Sequence, residues 1–507
     1  MMESAFHINA VLPAAALGHP WLALPLFVAT CLLFRFTYRI FFHPLARIPG
    51  PMLAKCTSLW LHYHTYVGTE CTAIRRLHEQ FGPVVRVAPN EVDISDGDAI
   101  APVYGAKSDL VKSACYTKFT LDGHTTVFAT LTSPQRAMRL KAMMPLFSPT
   151  GVRESKHVID ECVAEFVHRL SAEASTEQPV DVLNLAEAFA TDVTTACLFG
   201  SQHKYGALSE TVAPFSASGY LDDFLAVGRF FYMPNSVWVL LEWVTAVVFP
   251  DKQRLRSVQT VDRYCDGLVK TALETKSGAI STFQGRLLSH GLPQSATAIE
   301  CKDSIFAGGY FIGVIIAQIF WLLARNPDKY TALRKEVLEA NSSDNHVNTQ
   351  SLPYLQSVVK EGLRVVMPSP ARLPRIVSDQ GLTVQGHFLP PGTNVGLGAL
   401  QLHLNPDVFP DPEKFLPERW ETATPEMRRD WVPFGMGVRS CIGRGLSNAV
   451  ISEVMRAVAE ADVLGGAVAI QDRIDVKQWT ISKLKEGSIM MVWPRHSKAK
   501  QSVAQLH

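Results

Sequence analysis

The chain has 507 residues, 47% of them hydrophobic, which is enough apolar material for a large buried core. Lys and Arg total 48 against 47 Asp and Glu, and the resulting net charge of +1 excludes a nucleic-acid or acidic partner held by bulk charge. The nine cysteines are scattered, odd in number and form no Cys-x-x-Cys pair, which argues against a disulfide framework or zinc site and for reduced thiols facing the cytosol.

No charged residue lies between Glu3 and Arg35. Val11–Leu17 and Trp21–Phe34 are apolar, with Gly18-His19-Pro20 between them. Together they are long enough to span a bilayer, which takes about 20 residues. Arg35, Arg39 and Arg47 follow and place that side in the cytosol. The basic residues come after the apolar run, and no small-x-small cleavage site follows it, so residues 1–35 read as an uncleaved single-pass anchor rather than a signal peptide. A second arrangement inserts Trp21–Phe34 alone, tilted or re-entrant. Residues 36–51 form a basic, Pro-rich hinge ending in Ile48-Pro49-Gly50-Pro51, a stiff non-helical connector.

Beyond the hinge, Ile74–Phe81 reads as the end of a helix. Val84–Val87 and Glu91–Ser95 read as strands joined at Ala88-Pro89-Asn90. Ser133-Pro134 opens a basic helix carrying Arg136, Arg139 and Lys141, whose charged face suits solvent or a docking redox partner. Val158–Leu170 and Leu183–Phe199 read as helices. Gly219–Pro250 is unusually apolar, with Phe230-Phe231-Tyr232 followed by Trp238 and Trp243; it reads as core helix or as a membrane-contacting patch, and either suits a lipophilic ligand. Ala296–Ala324 is a long apolar helix in which Gly308 and Gly309 predict a local bend or an inserted water. On a helix from about Tyr354, Glu361 and Arg364 share one face and can pair. Leu382–Gln385 and His387-Phe388-Leu389 read as paired strands, and the segment after Pro494, with Lys498 and Lys500, as a disordered tail. There is no internal repeat.

The densest pattern is Trp431-Val-Pro-Phe-Gly-Met-Gly-Val-Arg-Ser-Cys-Ile-Gly-Arg-Gly445. A thiolate such as that of Cys441 can be the axial ligand of a haem iron and favour O–O cleavage. Gly437 and Gly443 allow tight turns and close approach to a flat cofactor. Arg439 can hydrogen-bond a propionate, and Phe434 can pack beneath the ring. Leu446 to Val458 reads as a helix whose positive N-terminal end favours the thiolate.

Phe434, Gly437, Arg439, Cys441 and Gly443 complete the spacing Phe-x-x-Gly-x-Arg-x-Cys-x-Gly, which resembles the haem-binding loop of the cytochrome P-450 family. Ala307-Gly308, Glu361-x-x-Arg364 and Phe415-Leu-Pro-Glu-Arg419-Trp420 resemble further family motifs in the expected order, and Ile48 to about Pro494 is covered. The resemblance implies a mainly helical fold with a small β-sheet region, in which residues 52–507 are one haem-thiolate catalytic domain behind the transmembrane helix. By the same resemblance, Arg375 binds a haem propionate; the basic helix departs from the family, with Arg136 at the aromatic position and Leu140 at the usual Arg, so either Arg136 or Arg139 takes a propionate or that contact is lost. Glu361, Arg364 and Arg419 form a structural triad, Ser369, Pro370 and Ala371 line the substrate pocket, and 219–250 roofs it. It further implies haem b, O2, electrons from NADPH through a separate reductase, a lipophilic substrate from secondary metabolism of the fungal type, and an endoplasmic-reticulum membrane location with the catalytic domain in the cytosol.

One departure is large. Where the family helix carries an acid and an alcohol that relay protons, this chain has Tyr310 and Phe311, beside Gly308 and Gly309. Phe311 donates no proton, and a tyrosine with its ordinary pKa of about 10 is a poor acid. If oxygen is reduced here, Tyr310, water admitted beside Gly308 and Gly309, or a substrate hydroxyl takes the place of the missing alcohol; successive helix residues are about 100° apart, which turns Tyr310 away from Phe311 and favours the water or the substrate. Three functions compete: a monooxygenase that hydroxylates or epoxidises; an isomerase or dehydratase that rearranges a peroxide without NADPH; and a non-enzymatic haem sensor.

Overall fold

The computed structural model describes residues 20–248, 251–275, 281–343 and 348–494. The Val11–Leu17 part of the expected anchor, the Gly18-His19 interruption and the tail with Lys498 and Lys500 lie outside these residues. Seven of the helices bear on the site or on contact with a membrane: α1 (Pro20–Thr37), α2 (Ser133–Phe147), α3 (Val182–Phe199), α4 (Asn235–Val248), α5 (Gln294–Arg325), α6 (Pro353–Val366) and α7 (Arg444–Glu460).

Helix α1 does not stop at Arg35. It runs into a π-helical turn over Tyr38–Phe42, so the apolar exposed stretch reaches Phe42, and Ala23–Phe42 is long and apolar enough to cross a membrane. An arginine interrupts hydropathy without interrupting the backbone hydrogen bonds that define a helix, and its stem is itself apolar. Leu24, Phe27, Phe34 and Phe42 all stand exposed. The segment after it is tied down. Leu45 and Ile48 are buried, the Arg86 amide donates to Pro49 O at 2.7 Å, and the buried Arg86 guanidinium donates to the carbonyls of Arg39, Leu45 and Pro89.

A five-stranded sheet contains β1 (Val84–Ala88), β2 (Glu91–Ile94), β3 (Val111–Lys112), β4 (Arg375–Ile376) and β5 (Asn394–Gly396), in the order β1-β2-β5-β4-β3. Only β2 and β5 run parallel. The hairpin read from 84 to 95 is present, and Leu382–Val384 pairs with His387–Leu389.

The largest hydrophobic cluster surrounds α5 and α3. Helix α5 is continuous over its 32 residues, so the glycines do not interrupt it. Their use is close approach. A Cβ on Gly313 would fall 2.6 Å from Glu187 Cα, and one on Gly309 would fall 2.6 Å from Thr191 Oγ1. Losing Cβ atoms costs helix propensity of about 1 kcal/mol each, which the tighter packing of α3 offsets.

Beneath this core sits Glu361. Its carboxylate accepts from Arg364 Nη2 at 2.8 Å and Nε at 3.0 Å, from Arg419 Nε at 2.9 Å, from Trp420 Nε1 at 3.0 Å and from the Leu416 amide at 3.1 Å. Arg364 also donates to the carbonyls of His403, Pro412 and Lys414. His403 carries the network onward: its Nδ1 donates to Arg364 O at 3.1 Å, leaving Nε2 to accept the Val432 amide at 2.9 Å. Burial and the Arg364 charge push this imidazole down to about 3, so it is neutral.

Glu361→Ala strands two guanidinium groups, and we expect a loss of about 3–5 kcal/mol by urea denaturation, with aggregation on expression. His403 sets a pH dependence. Between about 3 and 6.5 the unfolded chain binds a proton there that the folded chain refuses. Stability is therefore full above that window and falls as pH drops through it, by about 1.4 kcal/mol per pH unit. His403→Gln should flatten that slope in urea titrations run between pH 4 and 7.

Candidate functional site

The residues 431–445 form a loop that leaves the Glu361 network and ends at the first turn of α7. Trp431 Nε1 donates to Lys360 O at 3.1 Å, and the Trp431 and Phe434 rings meet edge to face at 6.4 Å. The backbone reverses at Gly435 (φ 74°) and Gly437 (φ 61°), a region that favours glycine. A Cβ on Gly437 would lie 1.7 Å from Tyr104 O. Its close approach is thus to protein backbone rather than to a cofactor. Gly443 has an ordinary φ of −80° and is the residue preceding α7; the second obligatory turn is at Gly435, which the motif leaves unspecified.

The turn is closed by the Cys441 amide donating to Phe434 O at 2.8 Å. The Cys441 thiol presents accessible surface, yet desolvation dominates its titration and raises its pKa. Its open side is therefore an internal void. Against that desolvation act the N–H groups of Gly443 and Arg444, which start α7, and the Arg444 charge. The helix N-terminus does point at the sulfur, and a bound cation would complete the shift to thiolate.

Two residues earlier, Arg439 donates to Thr130 O at 3.1 Å and Leu131 O at 2.8 Å. It borders a cavity of about 140 Å³ that Arg375, Lys112, Tyr104 and Leu131 also line. Arg136 reaches toward it, with Nη1 3.5 Å from Val438 O. Arg139 turns the other way and pairs with Glu300 at 2.7 Å, so of the two candidates on α2 only Arg136 is at this site. Lys112 and Arg375 face each other directly across the β3–β4 ladder, an arrangement that disfavours folding for like charges. Burial, then the charges of Arg375 and Arg439, push Lys112 well below its ordinary value. Burial with Arg136 and Arg375 holds Arg439 down to about 10. The hydrogen bonds these cations make within the protein go to carbonyl oxygens. Four crowded cations beside a buried thiol fit a dianionic, iron-centred cofactor such as haem. Lys112 was not distinguishable by sequence from any surface lysine; only strand register places it opposite Arg375.

On α5, Ala307 is exposed and Ser304, Gly308 and Phe311 are partly so, although the helix is otherwise buried from Ala296 to Phe320. These positions repeat at three and four residues and define one open face. Tyr310 is not on it. Its hydroxyl donates to the Ser482 carbonyl, and burial raises its pKa well above the ordinary value. This corrects its expected catalytic placement. At Gly308 and Gly309, the space that a Cβ would take is filled by Thr194 and Thr191 of α3. Phe311 sits in an aromatic wall, 5.9 Å from Phe306, which stacks on Phe224 at 3.9 Å. The apolar 219–250 stretch divides. Phe230 and Phe231 are core, whereas Val239, Leu240, Trp243 and Val247 of α4 are exposed.

Replacing Lys112 by Met removes one cation from the cradle. Haem transfer from this variant to an apomyoglobin acceptor should be about 10-fold faster or more than from wild type, the loss of one charge-assisted hydrogen bond. Unchanged transfer would show that Lys112 serves the fold alone.

Comparison with known proteins agrees with this geometry. The cytochrome P450 family model matches residues 49–458. Cytochrome P450 monooxygenase mfmF of Annulohypoxylon moriforme is 33% identical over 93% of this chain and 100% of its own length. Tryptophan 6-hydroxylase fscE of Fusarium equiseti is 30% identical over 83% of this chain and 86% of its own. Cytochrome P450 monooxygenase aneF of Aspergillus aculeatus is 27% identical over 83% and 88%. The chain belongs to the cytochrome P450 family and is a P450 monooxygenase.

Proposed function

We propose that this monooxygenase hydroxylates or epoxidises a lipophilic small molecule of secondary metabolism at a haem b, on the cytosolic face of the endoplasmic-reticulum membrane. The observation that carries the reading is the accessible yet desolvated Cys441 thiol, with two helix N–H groups at its sulfur and the Arg439, Arg375, Lys112 and Arg136 charges nearby. Cys441 would ligate the iron, those four cations would hold the propionates, and Phe434 would pack beneath the ring. When bound, haem supplies oxygen activation, using two electrons that come from NADPH through a separate reductase. The net reaction consumes the substrate, O2, two electrons and two protons, and yields oxygenated product and water.

The chain's own residues do the rest. The Glu361 network and His403 hold the loop that aims Cys441. The aromatic wall of Phe224, Phe306 and Phe311 excludes water and suits an apolar or aromatic substrate. Exposed apolar residues on α1 and α4 favour entry of such a substrate from lipid. The relatives named monooxygenase and the one named hydroxylase support this reaction type over peroxide isomerisation or sensing.

Reduced, CO-treated protein should show the red-shifted Soret band of thiolate haem, and Cys441→His should abolish it. With NADPH, reductase and extracts of a strain lacking the protein, the wild type should convert an accumulated intermediate. Conversion of a peroxide without NADPH, and of nothing with it, would instead establish the isomerase. Deleting residues 1–37 should leave partial membrane association through α4, and adding Trp243→Asp and Val247→Asp should release the protein from liposomes in flotation assays.

A further inference from the structure

The open face of α5 carries one polar side chain. Of Ser304, Ala307, Gly308 and Phe311, Ser304 alone has a hydrogen-bonding group, and it is partly exposed. Its hydroxyl lies 2.9 Å from Glu300 O, one turn back. A carbonyl cannot donate, so the Ser304 hydrogen is committed to that bond, a common arrangement for a serine inside a helix. The oxygen keeps only lone pairs for the void. A group that meets it there has to bring the hydrogen.

A short bridge ties this part of α5 to the thiol loop. Residues 126–131 close on themselves through the Thr130 amide, which donates to Thr126 O at 3.0 Å. At the start of the bridge the Val127 amide donates to Glu300 Oε2 at 3.3 Å. At its end the Thr130 and Leu131 carbonyls accept from Arg439, two residues before Cys441. Four residues of a helical turn advance by only about 6 Å, so the Glu300 turn of α5 and the Arg439 guanidinium are held close together. Glu300, Ser304, Ala307 and Phe311 follow at four, three and four residues and share a face. Glu300 is covered by the bridge and 2% exposed; Ser304 is the first residue of that face left open. Asp303 lies about 100° round the helix, is 8% exposed, and has the Thr126 hydroxyl of the bridge beside it. Beyond Ser304 the face is apolar and ends at Phe311, whose ring joins those of Phe306 and Phe224.

We propose that Ser304 is the specificity-determining anchor of the substrate pocket: its oxygen accepts a hydrogen bond from an N–H or O–H of the substrate, whose apolar or aromatic remainder lies along Ala307 and Phe311. The inference deepens the proposed monooxygenase function and rests on it. In an apolar pocket the few polar groups fix the orientation of the ligand. Here that polarity is one-sided. A ring system with a donor at this place gains a hydrogen bond, and an isostere with CH2 there gains none. An isostere with an acceptor brings lone pairs against lone pairs, which is discrimination by repulsion. To serve an acceptor, Ser304 would have to turn its hydrogen away from Glu300 O and give up one bond to make another.

Carbazole, fluorene and dibenzofuran test this on full-length haem-loaded protein. The three share one tricyclic shape and differ by N–H, CH2 or O at a single place, and none has a basic nitrogen to ligate iron. Dissociation constants come from equilibrium dialysis and from the Soret shift on binding. Wild type should bind carbazole about 5- to 10-fold more tightly than fluorene, the worth of one neutral hydrogen bond, and dibenzofuran no more tightly than fluorene. Ser304→Ala should bring the carbazole-to-fluorene ratio to about one by weakening carbazole and leaving fluorene unchanged. Ser304→Thr keeps the hydroxyl and should keep the ratio, whatever its extra methyl does to both ligands. Asp303→Asn should keep the ratio as well. Absence of carbazole binding, a ratio near one in wild type, dibenzofuran binding as tightly as carbazole, a ratio that survives Ser304→Ala, or its loss in Asp303→Asn would each overturn the proposal. The wild-type comparison of the three ligands decides even where a variant loads haem poorly. With the thiolate-haem band of the reduced CO complex present, these outcomes leave the monooxygenase reading intact; a wild type without that band would overturn the reading beneath the proposal.

Discussion

A single buried carboxylate organises the proximal half of this protein. Glu361 is fully enclosed, and alone its charge would be prohibitively unfavourable there. It is tolerated because two guanidinium groups, an indole N–H and a backbone amide converge on its two oxygens. The donors come from two stretches of chain, Arg364 on α6 itself and Leu416, Arg419 and Trp420 from the 410–420 segment, so satisfying the carboxylate fixes α6, that segment and, through Arg364 and His403, the first residues of the thiol loop. The geometry at Cys441 is thus inherited from an ion network that lies at the base of its loop. Such a network is a weak source of net stability and a strong source of uniqueness, since any alternative packing leaves a buried charge unpaired.

The cationic cradle works in the opposite sense. Lys112 opposite Arg375, with Arg439 and Arg136 close by, is a local concentration of like charge in which none of the four forms an ion pair with a carboxylate among the described residues. The fold accepts this because the Glu361 network and the sheet hold the backbone regardless. The free energy invested in crowding these cations is recovered when an anion enters, which is the logic of a preorganised site. Binding and folding are coupled here through electrostatics more than through shape.

The sequence made some of this legible and hid the rest for physical reasons. The thiol loop, Glu361 with Arg364, and the 84–95 hairpin were readable because their information is local: residue spacing, helical phase, turn chemistry. Lys112 and His403 were not, since each matters only through a partner distant in sequence, Arg375 across a strand pair and Val432 at the end of a hydrogen-bond relay. Gly435 was missed and Gly443 overvalued because a motif records which residues recur, not which φ values are positive. Gly308 and Gly309 were assigned to bending because a glycine in a helix is ambiguous until its neighbour is known. Weakness of the helix and closeness of another helix follow from the same missing Cβ, and only α3 decides between them.

That ambiguity bears on how a site can change without losing its chemistry. On α5 the acid and alcohol positions hold Tyr310 and Phe311, both large, and their rings join a stacked aromatic series with Phe306 and Phe224. Aromatic surface of this kind gains packing and shapes an apolar pocket, and the hydroxyl that the open face of α5 does carry, that of Ser304, donates back to Glu300 O at 2.9 Å. Helices can approach this closely only where one of them gives up side chains, and α5 does so at Gly308, Gly309 and Gly313. The space so released is occupied by the polar residues of α3 and not by apolar ones. Apolar side chains there would have packed equally well and left no unsatisfied oxygen. Packing therefore explains why the glycines are small and does not explain why their partners are Glu187, Thr191 and Thr194.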